Sequence, residues 1–500
     1  MHDKIFFFQN KFLYFIIICT CIGMLGCEPP ENTEKVIYKT QASEESKNTQ
    51  PNANAGYDQT ILITEASNVI LNGSRSNDPD GDKLNYLWTS VNSEIIVDTS
   101  QAVTTVVNLP APGQYHFVLI VDDNNSYSKP DIVKITVVEP DAYANSLLTT
   151  ESGIHYRSVQ RAIDSVTDDG KKKIVVVKND FQEVVNVKQN IHLIGIIEDN
   201  TMPRIESSNN DTIINLSKNS IIENIKVANL YDQQVECLGL TRSAIKVSDQ
   251  GAEIINCVIQ DSYCDGIFVM NDSSAKVKNC TMNSINGEGI QSDDNATLSV
   301  INSKFINIAG SAIWCNYNKL VQLENNLIYK TGWNGIDLFR CQESSVKHCT
   351  IIEFGSSWND DLMNIQTGIK ITEGLSPIEL SSNLTVISDK QQLCGITLDL
   401  AENQTLPTYK YNYIFSKQQQ DKNYYCEDID TYTDPYSNYP DKTNYPNIIQ
   451  TETKDPSIVS PEAGNFQLDE NSPAREKGEN QSNPGAEGQI LYPSNQKREI

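Results

Sequence analysis

The chain has 500 residues, with 39 lysines and arginines against 65 aspartates and glutamates and a formal net charge of -26 at pH 7. Such an acidic balance argues against a nucleic-acid partner, and also against tight binding of an anionic polymer without a bridging metal ion. The 12 cysteines include no Cys-x-x-Cys pair, which argues against a zinc site.

The first 26 residues are predicted to be a secretion signal. Lys4 and Lys11 precede an apolar run from Phe12 to Leu25, which is short for a membrane span. The motif Met24-Leu25-Gly26-Cys27 resembles the lipobox of bacterial lipoproteins, with Met24 where Leu is usual. The resemblance implies cleavage before Cys27, acylation of its thiol and anchoring to the outer face of a bacterial outer membrane. A signal-anchor helix and an ordinary signal peptide are the alternatives.

Residues 27–50 are polar and are expected to form a disordered tether, and a β-sandwich is predicted over residues 51–140. In the second segment, short β-rich runs alternate with clusters of Asn, Asp, Gly and Pro. The segment resembles a PKD-type domain, an immunoglobulin-like module. The matching motifs are, in order, Pro51-Asn52-Ala53-Asn54-Ala55-Gly56, Leu71-Asn72-Gly73-Ser74, Ser76-Asn77-Asp78-Pro79-Asp80-Gly81-Asp82, Tyr86-Leu87-Trp88, Gly113-Gln114-Tyr115 and Val121-Asp122-Asp123. The resemblance implies that Trp88 is buried in the sandwich.

Three alternating carboxylates in this segment form a candidate calcium site. Asp78, Asp80 and Asp82 lie in a loop that also contains Gly81, and hard oxygen ligands at this spacing suit calcium. A polar turn, in which the Asp side chains cap their own backbone, is the alternative and is favoured.

A repeat of 23 residues dominates the rest of the chain. Rung starts at Ile254, Val277, Val300, Leu323 and Val346 bring Asn256, Asn279, Asn302, Asn325 and His348 into one column. A second column contains Ile267, Ile290, Ile313 and Ile336, each preceded by Gly or Ala. This register predicts a solenoid. Because β-branched residues alternate with polar ones, each repeat is interpreted as one turn of a parallel β-helix, stacked about 4.8 Å from the next.

The two polar columns are expected to stack along this solenoid. The Asn side chains are predicted to form an interior ladder of hydrogen bonds at a turn, with His348 in a structural role rather than as a general base. Cys257, Cys280 and Cys349 share the next column and are expected to stack as mostly unpaired thiols.

Both ends of the repeat carry segments that resemble known caps. Tyr156–Val166 has helical spacing of apolar residues and precedes strand-like runs, as in the N-terminal cap of the pectin-lyase-like β-helix superfamily. The C-terminal part of the chain resembles the terminal segment of many secreted members of this superfamily. The matching motifs are Asp455-Pro456, Phe466-Gln467-Leu468, Ser472-Pro473-Ala474, Gly478 and Gly485-Ala486. The resemblance covers residues 145–490 and implies an all-β fold, a right-handed parallel β-helix after an immunoglobulin-like sandwich. It leaves the reaction open, because the superfamily includes lyases, hydrolases, esterases, epimerases and non-catalytic binders.

One outward face of the predicted β-helix mixes aromatic and polar side chains. Because strand residues alternate, the residue after each inward Ile points outward. This outward column is Lys246, Phe268, Gln291, Trp314, Asp337, Lys370 and Thr397, and a parallel column is Ser248, Met270, Asp293, Asn316, Phe339, Thr372 and Asp399. Asp265, Glu288, Asp294 and Arg340 flank these columns. Rings beside amides and carboxylates suit carbohydrate.

The predicted carbohydrate site uses Trp314 and Phe268 as its aromatic platform. Further contacts are expected from Lys246, Gln291, Asn316 and Arg340. Scattered surface aromatic residues are the alternative interpretation.

Two reactions are compatible with this face. In an eliminating lyase, Lys370 would be the base, Arg340 would neutralise a uronate, and Asp337 and Asp293 would bind calcium. In a hydrolase, Asp293 and Asp337 would be the acid and the base, although two rungs separate them by about 10 Å. An exposed ion pair between Asp337 and Lys370, without catalysis, is the alternative.

The sequence therefore predicts a surface-anchored lipoprotein that binds or degrades polysaccharide, as a lyase or a glycoside hydrolase. A non-catalytic glycan-binding or adhesive protein is the alternative. Polysaccharide and the membrane are the expected partners, nucleic acid is not one, and calcium is the candidate cofactor.

Overall fold

The structure is a computed structural model of the chain. It describes residues 48–66, 68–91, 95, 97, 100–107, 109–198, 201–207, 212–229, 242–355, 366–375, 377–387, 393–400, 408–410, 412–416, 425–427, 458–460 and 465–468. The predicted signal peptide, the lipidation site Cys27 and nearly all of the predicted tether lie outside the described residues.

The first part of the described chain is a two-sheet sandwich. Its strands are β1 (Gln59–Leu62), β2 (Asn68–Asn72), β3 (Asn85–Ser90), β4 (Val103–Val107), β5 (Gly113–Asp122) and β6 (Asp131–Val138). One sheet has the order β1-β6-β5-β3, and β2 pairs antiparallel with β4. Trp88 is fully buried, and its Nε1 donates to the carbonyl of Gln101 at 3.1 Å. The prediction that Trp88 belongs to the sandwich core is confirmed.

The Asp-rich loop of the sandwich is a polar turn. Asp78 Oδ1 accepts hydrogen bonds from the backbone N–H groups of Asp80 at 2.8 Å and Asp82 at 3.1 Å. The Asp80 carboxylate accepts from Thr49. These side chains satisfy backbone donors, which is the favoured alternative of the sequence analysis. Within the described residues no group of three or more His, Cys, Asp or Glu side chains could hold a metal ion, so a calcium site here is not supported.

The second part of the described chain consists almost entirely of short strands. In chain order the elements are β7 (Ala142–Asn145), β8 (His155–Tyr156), α1 (Val159–Ser165), β9 (Lys173–Lys178), β10 (Phe181–Gln182), β11 (Val185–Val187), β12 (Ile191–Gly195), β13 (Arg204–Ser207), β14 (Ile214–Leu216), β15 (Ile221–Glu223), β16 (Lys226–Asn229), β17 (Ser243–Val247), β18 (Ala252–Ile255), β19 (Val258–Ser262), β20 (Asp265–Val269), β21 (Ser274–Lys278), β22 (Thr281–Ile285), β23 (Ile290–Ser292), β24 (Thr297–Ile301), β25 (Lys304–Ile308), β26 (Ile313–Asn316), β27 (Leu320–Glu324), β28 (Leu327–Thr331), β29 (Ile336–Phe339), β30 (Glu343–Lys347), β31 (Thr350–Ile352), β32 (Gln366–Gly374), β33 (Ile378–Ser381), β34 (Leu384–Ile387), β35 (Leu393–Leu400), β36 (Thr408–Lys410), β37 (Tyr413–Ser416), β38 (Tyr425–Glu427), β39 (Ile458–Ser460) and β40 (Asn465–Leu468).

Strands β7 to β38 stack into three long parallel sheets around one core, whereas β39 and β40 form a separate antiparallel pair. Sheet A has the order β36-β33-β30-β27-β24-β21-β18-β15-β12-β9-β7-β8, sheet B the order β10-β13-β16-β19-β22-β25-β28-β31-β34-β37, and sheet C the order β11-β14-β17-β20-β23-β26-β29-β32-β35-β38. Each rung contributes one strand to each sheet, and the inward side chains of all three form one apolar cluster. This arrangement is a parallel β-helix.

The predicted 23-residue register is confirmed along sheet A. Ile254 pairs with Val277, Val277 with Val300, Val300 with Leu323, and Leu323 with Val346. All five side chains are buried. The alternation of apolar and polar residues therefore sets which side chains enter the core.

The predicted Asn column lies at a turn, at the surface rather than in the interior. Its members adopt positive φ angles of 50° to 54°, which Asn tolerates better than most residues. Asn256 donates to Asn224, and Asn325 donates to Asn302 at 2.7 Å, as expected of a ladder. Asn279, however, is exposed. The left-handed backbone turns these side chains outward, which corrects the prediction of an interior ladder.

The interior ladder is the next column, which we call the inner ladder. It consists of buried Cys257, Cys280, Ser303, Asn326, Cys349, Asn383 and Asn412. Backbone N–H groups donate to the side chain of the following rung, as Ser303 N does to Asn326 Oδ1 at 3.0 Å. The thiols of Cys257, Cys280 and Cys349 are free, as predicted, and Cys264 is disulfide-bonded.

A short helix covers the first rungs. The side chains of Val159, Ala162 and Ile163 in α1 are fully buried, which confirms the predicted amphipathic cap. Its N-cap Ser158 accepts from the backbone of Arg161, and Glu183 accepts from the N–H of Val159 at 2.7 Å. In the described part of the chain, no helix has both the length and the apolar character needed to cross a bilayer.

The sandwich packs directly on the first rungs of the β-helix. Val138 of β6, Val176 and Ile194 belong to one buried apolar cluster, and Leu62 packs against it. Asn224 Nδ2 also donates to Thr60 Oγ1 at 3.0 Å, and both side chains are buried. We call this contact the junction.

Candidate functional site

Sheet C carries the predicted outward column in the predicted register. Gln291 pairs with Trp314, Trp314 with Asp337, and Asp337 with Lys370. All four side chains are partly exposed. We call these four residues the strip. Successive rungs of the strip are about 4.8 Å apart, so one sugar ring spans roughly one rung.

Phe268 does not belong to the exposed platform, which corrects the prediction. It pairs with Gln291 in the predicted register, but its side chain is only 2% exposed. Both faces of β20 are buried, so outward direction does not bring exposure there. Lys246 lies on the far side of Phe268 and is thereby separated from the strip. Thr397, 1% exposed, bounds the strip at its other end.

Asp337 lies near the middle of the strip and is held by two neighbours. Asn334 Nδ2 donates to Asp337 Oδ2 at 2.6 Å, and Lys370 is its partner on the next rung. Burial raises the pKa of Asp337, while the charge of Lys370 and the hydrogen bond from Asn334 oppose this shift. The carboxylate is therefore partly desolvated and faces a cation.

Asp293 is less suited to act together with Asp337. Gln291 Nε2 contacts both of its carboxylate oxygens at 3.3 Å. Burial raises the pKa of Asp293, and the neighbouring Asp294 adds to this effect. Two rungs separate the strands of Asp293 and Asp337, or about 10 Å along the stack. This spacing is at or beyond the range of an acid and base pair in glycoside hydrolysis.

Two carboxylates beside the strip, assigned only to its flank from the sequence, are the most perturbed acids of the face. Asp265 Oδ1 accepts from the backbone N–H of Glu288 at 2.9 Å, and Glu288 Oε2 accepts from the N–H of Ser311. A Cβ on Gly310 would lie 2.6 Å from Glu288 Oε2, so this carboxylate packs closely on the next turn. The shared Asp-Gly-Ile and Glu-Gly-Ile motifs were the available sequence signal.

The protonation of this pair follows from its surroundings. Burial raises the pKa of Asp265 to about 7 and that of Glu288 to about 8. The negative charges of Asp265 and Asp337 raise the pKa of Glu288 further, while hydrogen bonds from Ser311 lower it. Glu288 is therefore largely protonated at neutral pH.

Arg340 has partners within the protein, which argues against its predicted role as the cation that neutralises a uronate. Its Nε donates to Glu373 at 2.6 Å, and its Nη1 donates to Tyr317 Oη at 2.6 Å. The guanidinium also lies 5.2 Å from the ring centre of Phe339. Asn316, whose strand partner is Phe339, is partly exposed beside the strip.

Two exposed aromatic side chains near the strip were missed. Trp333 is 52% exposed in a turn next to Asn334, and Tyr317 is 39% exposed beside Arg340. Trp333 lies between β28 and β29, and Tyr317 directly follows β26, so the alternation of strand residues does not predict their direction. The large ring of Trp333 within the polar turn Gly332-Trp333-Asn334-Gly335 was the available signal.

Comparisons with known proteins agree with both parts of the fold. Residues 207–386 match the family model described as "Right handed beta helix region", and residues 55–137 match "K319L-like, PKD domain". No curated protein sequence matches the chain significantly.

Several solved structures are similar to the chain at low identity and low TM-score. Tailspike protein 2 from Escherichia coli O157:H7 bacteriophage CAB120 is 12% identical over 76% of this chain and 46% of its own, with a TM-score of 0.39. This chain thus spans about half of the tailspike. Pectin methylesterase PemA from Erwinia chrysanthemi is 11% identical over 60% of this chain and 98% of its own, with a TM-score of 0.32. The PKD domain of KIAA 1837 protein is 26% identical over 22% and 99%, with a TM-score of 0.17.

Similarities at such low identity do not identify a reaction, so the chemistry of the site follows from the residues of this chain. The chain thus joins a PKD-like β-sandwich to a right-handed parallel β-helix, the two architectures that its sequence resembles.

Proposed function

We propose that the chain binds a polysaccharide along the strip and hydrolyses it, with Glu288 as general acid and Asp337 as the second carboxylate. The observation that carries this proposal is the position of Trp314, between Gln291 and Asp337 on three successive rungs. A ring offers its face to the apolar side of a sugar, while the amide and carboxylate on either side bind hydroxyl groups.

The two carboxylates have the contrasting environments that glycoside hydrolysis requires. Glu288, with a pKa of about 8, carries the proton that a leaving-group oxygen needs. Burial also raises the pKa of Asp337, but the charge of Lys370 and the hydrogen bond from Asn334 oppose that rise and favour its ionised form. Glu288 reaches the backbone of Ser311, on the same rung as Trp314, and Asp337 lies on the next rung. The two residues belong to rungs two apart, about 10 Å along the stack, and the contact of the Glu288 carboxylate with Ser311 on the intervening rung shortens the gap between the carboxylates.

Elimination is less well supported by the same face. Arg340, the expected neutraliser of a uronate, is already bonded to Glu373. Non-catalytic glycan binding remains the second candidate, because Trp314 supports binding without requiring turnover.

A polysaccharide panel with and without calcium tests the proposal. We expect new reducing ends without the ultraviolet absorbance of an unsaturated uronide. Glu288→Gln and Asp337→Asn should each lower turnover at least 100-fold while leaving retention on the polysaccharide nearly unchanged. Ultraviolet-absorbing products would identify a lyase, and retention without products would identify a binding protein. Full activity of both variants would reject the assignment of these two carboxylates.

We also propose that the mature chain is a lipoprotein, anchored through Cys27 at the bacterial surface. The lipobox-like motif and the polar composition of the segment that follows it support this proposal. Cells that express the chain should incorporate radiolabelled palmitate into it, and Cys27→Ala should abolish the label. Equal labelling of both proteins would contradict lipidation at Cys27.

A further inference from the structure

A column of side chains at one turn of sheet C caps the backbone of the next rung. Its members stand two residues before the inward Ile of each rung. They include Asp265, Glu288, Ser311, Asn334 and Thr367. Asp265 accepts from the N–H of Glu288, Glu288 from the N–H of Ser311, and Asn334 Oδ1 from the N–H of Thr367 at 2.7 Å. In two of these rungs a carboxylate is the acceptor, and in the third it is an amide.

Asn334 differs from the carboxylates because an amide also donates. Its side chain is buried, 6% exposed, and its Oδ1 must face the N–H of Thr367. This fixes the orientation of the amide, so that Nδ2 points to Asp337 Oδ2 at 2.6 Å. The backbone of one rung thereby determines which atom of Asn334 meets the carboxylate.

We infer that Asn334 is a positioning residue that holds Asp337 Oδ2 and leaves Oδ1 directed to the bound sugar or the attacking water. This inference rests on the proposed hydrolysis. It adds a residue that acts through Asp337 and does not itself contact the substrate. An Asp at the same position would accept from Thr367 equally well, but it would place a second negative charge against Asp337. A Ser would be too short to bridge both partners.

The role predicts a specific change in the pH profile. The hydrogen bond from Asn334 favours the charged form of Asp337, so its loss raises the pKa of that carboxyl. Asn334→Ser should lower kcat roughly tenfold or more with little change in KM, and should move the acidic limb of the profile upward by about one pH unit. Asn334→Asp should move it further. An acidic limb that stays at its wild-type position in either variant would overturn the inference.

Asn326→Ser is the matched structural control. Asn326 is also a fully buried amide that accepts from a backbone N–H, in this case that of Ser303, but it belongs to the inner ladder. We expect this variant to lose stability while keeping the pH profile of the wild-type protein. A shift of its acidic limb equal to that of Asn334→Ser would assign the effect to general destabilisation and overturn the inference.

A measurement without turnover separates this inference from the proposed hydrolysis. The pH dependence of the stability difference between the wild-type chain and Asp337→Asn reports the titration of Asp337 in the folded state. Repeated in the Asn334→Ser background, its midpoint should move upward. If no polysaccharide is cleaved, the proposed hydrolysis fails, and a moved midpoint still supports positioning of Asp337. An unmoved midpoint overturns it.

Discussion

Glu288 and Asp293 lie five residues apart on one rung, yet their carboxylates have different environments. Glu288 packs against Gly310 and accepts a backbone hydrogen bond, and its pKa rises to about 8. Burial also raises the pKa of the half-exposed Asp293, and the hydrogen bonds from Gln291 oppose that rise. Both side chains are carboxylic acids, so the difference between their environments comes from the groups that neighbouring rungs place around them.

The raised pKa of Glu288 makes a prediction about stability. The folded-state pKa, about 8, lies above the ordinary value of 4.5, so the contribution of Glu288 is fully present below pH 4.5 and is lost as the pH rises through 8. Glu288→Gln should remove this loss. The free energy of unfolding of the variant minus that of the wild-type protein should therefore be roughly 2 to 4 kcal/mol larger at pH 8 than at pH 4. Urea unfolding at both pH values measures it. Glu324→Gln, at an exposed site, should leave the change in the free energy of unfolding between the two pH values as it is in the wild-type protein. The same change in all three proteins would contradict the prediction.

Trp314 makes a prediction about affinity. Trp314→Ala removes the ring that lies between the hydrogen-bonding groups of the strip. We expect the Kd for the bound polysaccharide to rise about tenfold or more, which corresponds to roughly 1.4 kcal/mol. Affinity electrophoresis or calorimetric titration measures it. Tyr127→Ala, in the sandwich at 65% exposure, is the control, and a comparable loss there would argue against the strip.

At the scale of the elements, side chains of one rung satisfy the backbone of another. In the inner ladder, Asn326 accepts from Ser303 N and donates to the carbonyl of Val300 at 2.9 Å. At the neighbouring turn, which carries Asn256, Asn279, Asn302 and Asn325, positive φ angles leave the Asn column at the surface. The short strands thus gain hydrogen bonds at their ends, where the sheet ladders stop.

Asn326→Leu tests the contribution of the inner ladder. The change keeps the volume of the side chain but leaves the buried N–H of Ser303 without its acceptor. We expect a loss of about 2 to 4 kcal/mol in the free energy of unfolding. Chemical unfolding measures it, with Gln322→Leu at an exposed position as the control. Similar losses in both variants would mean that the ladder contributes little.

At the scale of the whole molecule, the junction joins two architectures into one folded unit. Val138 of the sandwich packs with Val176 and Ile194 of sheet A, and Asn224 bonds to Thr60. The sandwich therefore covers the side of sheet A at the first rungs, where apolar side chains would otherwise meet water.

Ile194→Ala tests this coupling. Ile194 is 2% exposed in the junction, and truncation of a buried Ile costs about 2 to 5 kcal/mol. Scanning calorimetry should give one transition for the wild-type protein and two for the variant, because the sandwich no longer shares the stability of the β-helix. Ile205→Ala, buried within the β-helix core, should lower the transition temperature without dividing it. Two transitions in the wild-type protein would show that the junction does not couple the parts.

The 23-residue rung, the column of Trp314, Asp337 and Lys370 on successive rungs, and the burial of Trp88 were all predictable from the sequence alone. Repeated alternation of apolar and polar residues is a local property, and a solenoid converts a fixed spacing in the chain into a fixed neighbour in space.

Only the tertiary structure decided which outward side chains are accessible and which acids are protonated. Phe268 points outward but is covered, Arg340 is bonded to Glu373, and Glu288 retains its proton beside Asp265. These properties depend on desolvation and on charges contributed by other rungs. Spacing encodes direction and register, whereas the electrostatic environment of a side chain is a sum over all the groups that folding brings around it.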